Sequence, residues 1–100
     1  MNKDEALQAI NQLETLVKRF GGPNEQDHET FKRLIFGLRI GPMQDYYFRE
    51  KLSVAEGWAG DGFSTRKFNK YVGGLQQVQV GALGALSTAR SLVQDRWPDK

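Results

Sequence analysis

Along the N-terminal stretch the apolar residues recur at the spacing of an α-helix. Leu7, Ile10, Leu13, Leu16, Val17 and Phe20 lie three or four positions apart, so they line one side of a helix. The stripe predicts a helix from about Lys3 to Phe20. Asn2 stands at its N-cap, and Glu5 completes a capping-box pattern in which two side chains satisfy free backbone N–H groups reciprocally. Gly21-Gly22-Pro23 ends the element, because glycine accepts the left-handed cap conformation and proline blocks continuation.

A second stripe, Phe31, Leu34, Ile35 and Leu38, predicts a helix starting at Asn24 or Asp27, with Glu25 and Glu29 near its positive end. Gly41-Pro42 stops it. The short connection predicts an antiparallel pair. A third helix is expected from Pro42, since proline fits the first helical position. Its apolar residues Tyr47, Phe48, Leu52, Val54, Ala55 and Trp58 cover more of the helix than one packing partner needs. The β propensity of Tyr46-Tyr47-Phe48 makes a short strand over Met43–Phe48 the alternative.

Gly57, Gly60 and Gly62 predict a hinge after this helix. Ser64 then caps a short basic helix over residues 64–72 carrying Phe68, Tyr71 and Val72, before Gly73-Gly74 breaks the chain. The last helix is expected over 75–97 and stopped by Pro98. Between Gly81 and Ser91 most of its side chains are small, which lets another backbone approach closely, either within the chain or from a second copy. The pattern as a whole predicts an all-α fold, a compact bundle of four to five helices in one domain spanning 1–100.

The composition narrows the function classes. With no cysteine, disulfides, zinc–thiolate sites and cysteine nucleophiles are excluded. No apolar segment follows Met1 to Glu5, and no run is long enough to span a bilayer, so a cytoplasmic protein without signal peptide or membrane association is expected. The net charge of +2 says little, but its distribution says more. From Gly62 to Gln94 the bases Arg66, Lys67, Lys70 and Arg90 occur without any acid.

Catalytic chemistry is hard to assemble. The one histidine, His28, falls in the first turn of the second helix and is expected to be a solvated surface residue. The carboxylates sit at helix starts or on polar faces, where capping and the helix dipole account for them. One histidine with scattered carboxylates makes no metal cage. An enzyme is therefore not expected, nor is a cofactor or a metal. The Gly57–Gly62 loop offers a place for an anion on exposed N–H groups, but it matches no known phosphate-binding pattern.

The stretch Gly62-Phe63-Ser64-Thr65-Arg66-Lys67-Phe68-Asn69-Lys70-Tyr71-Val72 resembles the turn and second helix of helix-turn-helix DNA-binding proteins. It has the turn glycine, the following apolar residue, a small cap, and apolar anchors at Phe68 and Tyr71. The resemblance implies a recognition helix over 64–72, with Thr65, Arg66, Lys67, Asn69 and Lys70 outward toward phosphates and base edges. The pattern departs upstream, where Asp61 stands at an apolar position of that family. Trp58-Ala59-Gly60 is similar to the Trp-x-Gly turn of small secreted helical-hairpin proteins, although two glycine–proline breaks interrupt the helix that precedes the turn in that family.

Aromatic and arginine residues are more numerous than one small core requires. Tyr46, Tyr47, Arg49 and Trp58 are of the types enriched at interface hot spots. Together with Arg66, Lys67 and Lys70 they form the expected macromolecule-binding set. The resulting expectation is a non-catalytic helical binding protein working through protein–protein contacts as regulator, inhibitor or adaptor. Self-association through helix 75–97 is expected with it. The alternative is a DNA-binding regulator with a helix-turn-helix-like element over residues 54–72.

Overall fold

The first helix, α1 (Lys3–Val17), starts as its sequence implies. In the computed structural model, which describes residues 1–64 and 66–98, Asn2 Oδ1 accepts from the Glu5 N–H and Glu5 Oε1 from the Asn2 N–H. The helix stops short of Phe20. Arg19 and Phe20 donate to Leu16 and Val17, a tighter winding that turns Phe20 inward. Gly21, at φ 138°, then donates its N–H to the Gly62 carbonyl at 2.9 Å. Only glycine adopts that backbone readily.

Asn24 caps α2 (Glu25–Arg39), accepting from the Asp27 N–H at 3.0 Å. Asp27 is the buried charged side chain among the described residues, and Arg19 Nε meets it at 2.9 Å. The third helix does not begin at Pro42. Asp45 caps α3 (Tyr46–Gly62) by accepting from the Phe48 N–H at 2.9 Å. Residues 40–45 instead close the end of the bundle, where Met43 is buried and the Trp97 ring leaves no room for a Cβ at Gly41. No strand forms over Met43–Phe48; that segment leads into α3.

α3 runs unbroken through Gly57, Gly60 and Gly62, so the expected hinge is helix, and Trp58-Ala59-Gly60 is not a turn. The fully buried row Phe48, Leu52, Ala55 and Ala59 holds it, against a cost of about 1 kcal/mol for each interior glycine. The Gly57 and Gly60 N–H groups serve helical hydrogen bonds and are not exposed for an anion.

The short basic helix over 64–72 is also corrected. Only one turn of 3-10 helix forms, Lys67–Lys70, and Ser64, rather than capping a helix, accepts from the Lys67 N–H through its Oγ at 2.9 Å. None of its residues is fully buried, and so short a segment lacks the packing that stabilises an α-helix. The recognition-helix geometry of a helix-turn-helix is therefore not formed, and Thr65, expected to face outward on it, lies outside the described residues.

The last helix, α4 (Gly74–Arg96), matches its expected range to within one residue at each end. Cross-connections fix the topology. Met1 lies against Gly37 and Phe20 against Phe31, so α1 and α2 are antiparallel. Arg39 reaches Glu56 while His28 stacks on Phe63, so α2 and α3 are antiparallel. Trp58 covers Gly81 and Phe48 meets Trp97, which runs α4 back along α3. Gln79 donates to the Val17 carbonyl and Arg90 pairs with Glu14, closing α4 on α1. The molecule is an up-down-up-down bundle with one continuous core.

The small residues of α4 turn out to serve this internal packing. Ala82, Ala85 and Ala89 are buried, and Gly81 lies so close beneath Trp58 that a methyl group would overlap the indole. Those residues face the core, while Ser87 and Ser91 of the same stretch are exposed. Gly84 lies on the outer side, with nothing within 4 Å of where its Cβ would be.

At one end of the bundle Phe20, Phe31 and Phe63 cluster, with the Phe20–Phe63 centroids 4.8 Å apart and edge-to-face. His28 stacks on Phe63 at 5.4 Å, so it is partly buried and not simply a solvated surface residue. Burial lowers its pKa and Lys32 acts in the same direction, while Glu29 and Glu56 oppose them.

Two stability measurements follow from these contacts. In urea unfolding, Gly81→Ala should cost about 1–3 kcal/mol by overpacking. Gly84→Ala on the same helix should gain about 0.5–1 kcal/mol. For His28, the folded state holds the proton less readily than the unfolded state, whose value is near 6.5. Its contribution is complete above that pH and declines as pH falls through it to below the folded value. Thermal melts should show this decline in the wild type and a shallower one in His28→Gln.

Candidate protein-interaction surface

A helix side chain shares its face with those three and four positions away, so α3 can be read as rows. Opposite its buried row lie two outward rows. Tyr46, Glu50, Ser53, Gly57 and Asp61 form one, and Tyr47, Lys51, Val54 and Trp58 run beside it. Tyr46 is 80% exposed, Tyr47 47% and Val54 40%, a high apolar content for a solvated helix face.

Two open hollows lie along these rows. One, of about 440 Å³, is lined by Gln44, Tyr46, Arg49, Glu50 and Ser53. The other, of about 310 Å³, is lined by Ser53, Val54, Gly57, Trp58, Asp61 and Tyr71. Ser53 borders both, so together they make a shallow, interrupted furrow. Gly57 keeps the floor low, because no side chain rises from it and nothing else comes within 4 Å. Arg39 bounds the α2 side of α3, its guanidinium donating to Ser53 Oγ at 2.8 Å and pairing with Glu56 at 2.9 Å.

The far wall is tightly constructed. Trp58 sits over Gly81 with its ring centre 5.1 Å from that of Tyr71. The Tyr71 hydroxyl donates to Asp61 Oδ2 at 2.5 Å. Lys70 Nζ lies 3.8 Å from the same oxygen and 5.2 Å from the Tyr71 ring centre. The hydrogen bond to the Asp61 carboxylate raises the Tyr71 pKa above its ordinary value, with burial adding to the effect. At the near end, Arg49 donates to Gln44 Oε1 at 2.9 Å, and Lys51 Nζ stands 5.0 Å over the Tyr47 ring.

The expected binding residues thus divide. Tyr46, Arg49 and Trp58 line the furrow, and Tyr47 stands on the adjoining row. Lys70 touches the furrow's end through Asp61 and Tyr71. Arg66, just before the 3-10 turn, and Lys67, on it, are exposed, line neither hollow and take part in no ion pair among the described residues. Phe63 belongs to the core. The sequence reading overlooked Asp61 and Tyr71 as partners, because no helical period relates positions ten apart. It also passed over Ser53 and Gly57, whose spacing on one row of α3 was the available signal for a low floor.

The described residues include no cluster of three metal-ligating side chains. Ser53 Oγ accepts from Arg39 and Ser64 Oγ from a backbone N–H, so neither is paired with His28. No described helix is long and apolar enough to cross a membrane. Comparison of the chain with protein-family models, curated proteins and solved structures finds no match.

Titrating tyrosinate absorbance should reveal one tyrosine ionising above the ordinary pH. Asp61→Asn should bring that transition down, because the carboxylate that retains the proton is gone. An unchanged titration curve in Asp61→Asn would show that the Tyr71–Asp61 bond does not persist in solution.

Proposed function

We propose that this chain is a helical binding protein that acts through protein–protein contact, as a regulator, inhibitor or adaptor, using the outward face of α3. The observation that carries the proposal is the exposed Tyr46, Tyr47 and Val54 on that face, continuous with a furrow walled by Trp58 and Tyr71. Aromatic side chains supply large contact area with few rotatable bonds, and Arg49 adds a planar donor group. A cytoplasmic setting belongs to the same proposal and rests on the cysteine-free composition.

Nucleic-acid binding is the second reading. It is favoured by Arg66, Lys67, Asn69 and Lys70 standing exposed together on one turn. Without a recognition helix such contacts would go to phosphates, and their strength would fall steeply with salt. Self-association through 75–97 would have to use the outer side of α4, where Val80, Gly84, Ser87 and Ser91 are exposed, and partner binding is assigned to α3 for its exposed tyrosines.

Immobilised wild-type protein should retain a partner from extract that Tyr46→Ala and Val54→Glu each lose by on the order of tenfold or more. Phe36→Glu, an exposed residue of α2, should retain it. Equal capture by all four proteins would remove α3 as the binding face. In the same series, duplex DNA held at low salt and released by Arg66→Ala/Lys67→Ala/Lys70→Ala would favour the second reading.

A further inference from the structure

We infer that the chain from Lys67 to Gly73 is a strap latched onto α3 at Asp61, and that it opens there as a unit while the four helices stay packed. This goes beyond the reading of α3 as a binding face and stands whether or not a partner binds there.

The backbone of the strap is closed on itself. The Lys67 N–H donates to Ser64 Oγ, and those of Asn69, Tyr71 and Gly74 donate to the carbonyls of Arg66, Phe68 and Tyr71. The Gly73 N–H goes to Gln77 Oε1, in the first turn of α4. Among the described residues, the strap's polar contacts with α3 converge on one atom, Asp61 Oδ2. The Tyr71 hydroxyl donates to it at 2.5 Å, and Lys70 Nζ lies 3.8 Å away. A hydrogen bond to a charged acceptor is about twice as strong as a neutral one. Lys70 is more than half exposed, and its ion pair adds little. The Tyr71 hydroxyl is therefore the latch.

The apolar grip is slight. Phe68 and Tyr71 are half-buried, Tyr71 with its ring against Trp58, and every other residue of the strap is exposed. Segments with so few buried contacts open far more readily than the whole molecule unfolds. A hinge stands at the far end, where Gly74 has φ 60° in the left-handed region and nothing within 4 Å of its Cβ position. The buried rows of α3 and α4 belong to the continuous core and do not need the strap. Opening has one consequence for the surface. Tyr71 lines the 310 Å³ hollow with Trp58, Val54 and Asp61, so its departure removes a wall, bares one side of the indole and frees the carboxylate.

Tyr71→Phe tests the latch, because it keeps the ring on Trp58 and removes only the hydroxyl. Hydrogen exchange read by NMR should speed up about tenfold at the amides of Asn69, position 71 and Gly74. The amides of Ala82, Ala89 and Val93 in α4 should keep their wild-type rates. Trp97 is buried, so stronger acrylamide quenching of fluorescence in this variant would report Trp58. Asp61→Asn should act in the same direction, and the double variant should add little to Tyr71→Phe, since both changes remove one bond. Unchanged exchange in Tyr71→Phe overturns the inference, because ring packing would then hold the strap. Acceleration of strap and core amides together overturns it as well, since the whole bundle would be opening. Additive effects in the double variant overturn the assignment of the latch to the Tyr71–Asp61 bond.

Discussion

The Trp58 indole of α3 lies against the backbone of α4 at Gly81, where a Cβ would overlap it, and much else depends on that contact. Because no Cβ intervenes, the ring can press against α4 while Trp58 remains only partly buried. Its position brings Tyr71 alongside, and Tyr71 then reaches Asp61 near the end of α3. One missing methyl group therefore sets an inter-helix spacing, anchors the α3–α4 connection and builds the furrow's far wall. Helix packing and site geometry share a single cause here, so a change that perturbs the spacing also deforms the surface.

The cross-chain ion pairs play a different part. Arg19–Asp27, Arg39–Glu56, Arg90–Glu14 and Arg96–Asp45 each join two different elements at one register. Each keeps at least one partner partly in solvent, and solvent-exposed pairs contribute about 0–1 kcal/mol each, so the apolar core supplies most of the stability. Their effect is to favour one register of each seam over its neighbours.

Where local chemistry alone decides, the sequence was readable. The Asn2–Glu5 capping box, the Asn24 cap, the apolar stripes of the first two helices and the extent of the last helix all appear as expected. The misread elements are those decided by contacts distant in sequence. Pro42 and Asp45 are both good helix starts locally, and the Trp97 ring packed on Gly41 settles the choice. Gly57, Gly60 and Gly62 look like a hinge until the buried row beneath them is taken into account. Ser64–Val72 has a cap and apolar anchors, yet Phe68 and Tyr71 are only partly buried and the helix does not form. Of the site, Tyr46, Tyr47, Arg49 and Trp58 were legible from residue type on a face wider than the core required. Their arrangement around Gly57, and the Asp61–Tyr71 bond, became visible only in three dimensions.

The connection between α3 and α4 has one more property. Once Tyr71 has been tied to Asp61, the chain passes through the exposed Val72 and Gly73 before α4 begins. The helices on either side are held together by the Trp58–Gly81 contact and by core packing, not by the brevity of this link. Doubling the length of such a loop adds only about 0.6 kcal/mol of closure entropy. The knuckle at Val72–Gly73 is thus a natural insertion point, where added sequence can be carried beside the furrow without rewriting the bundle.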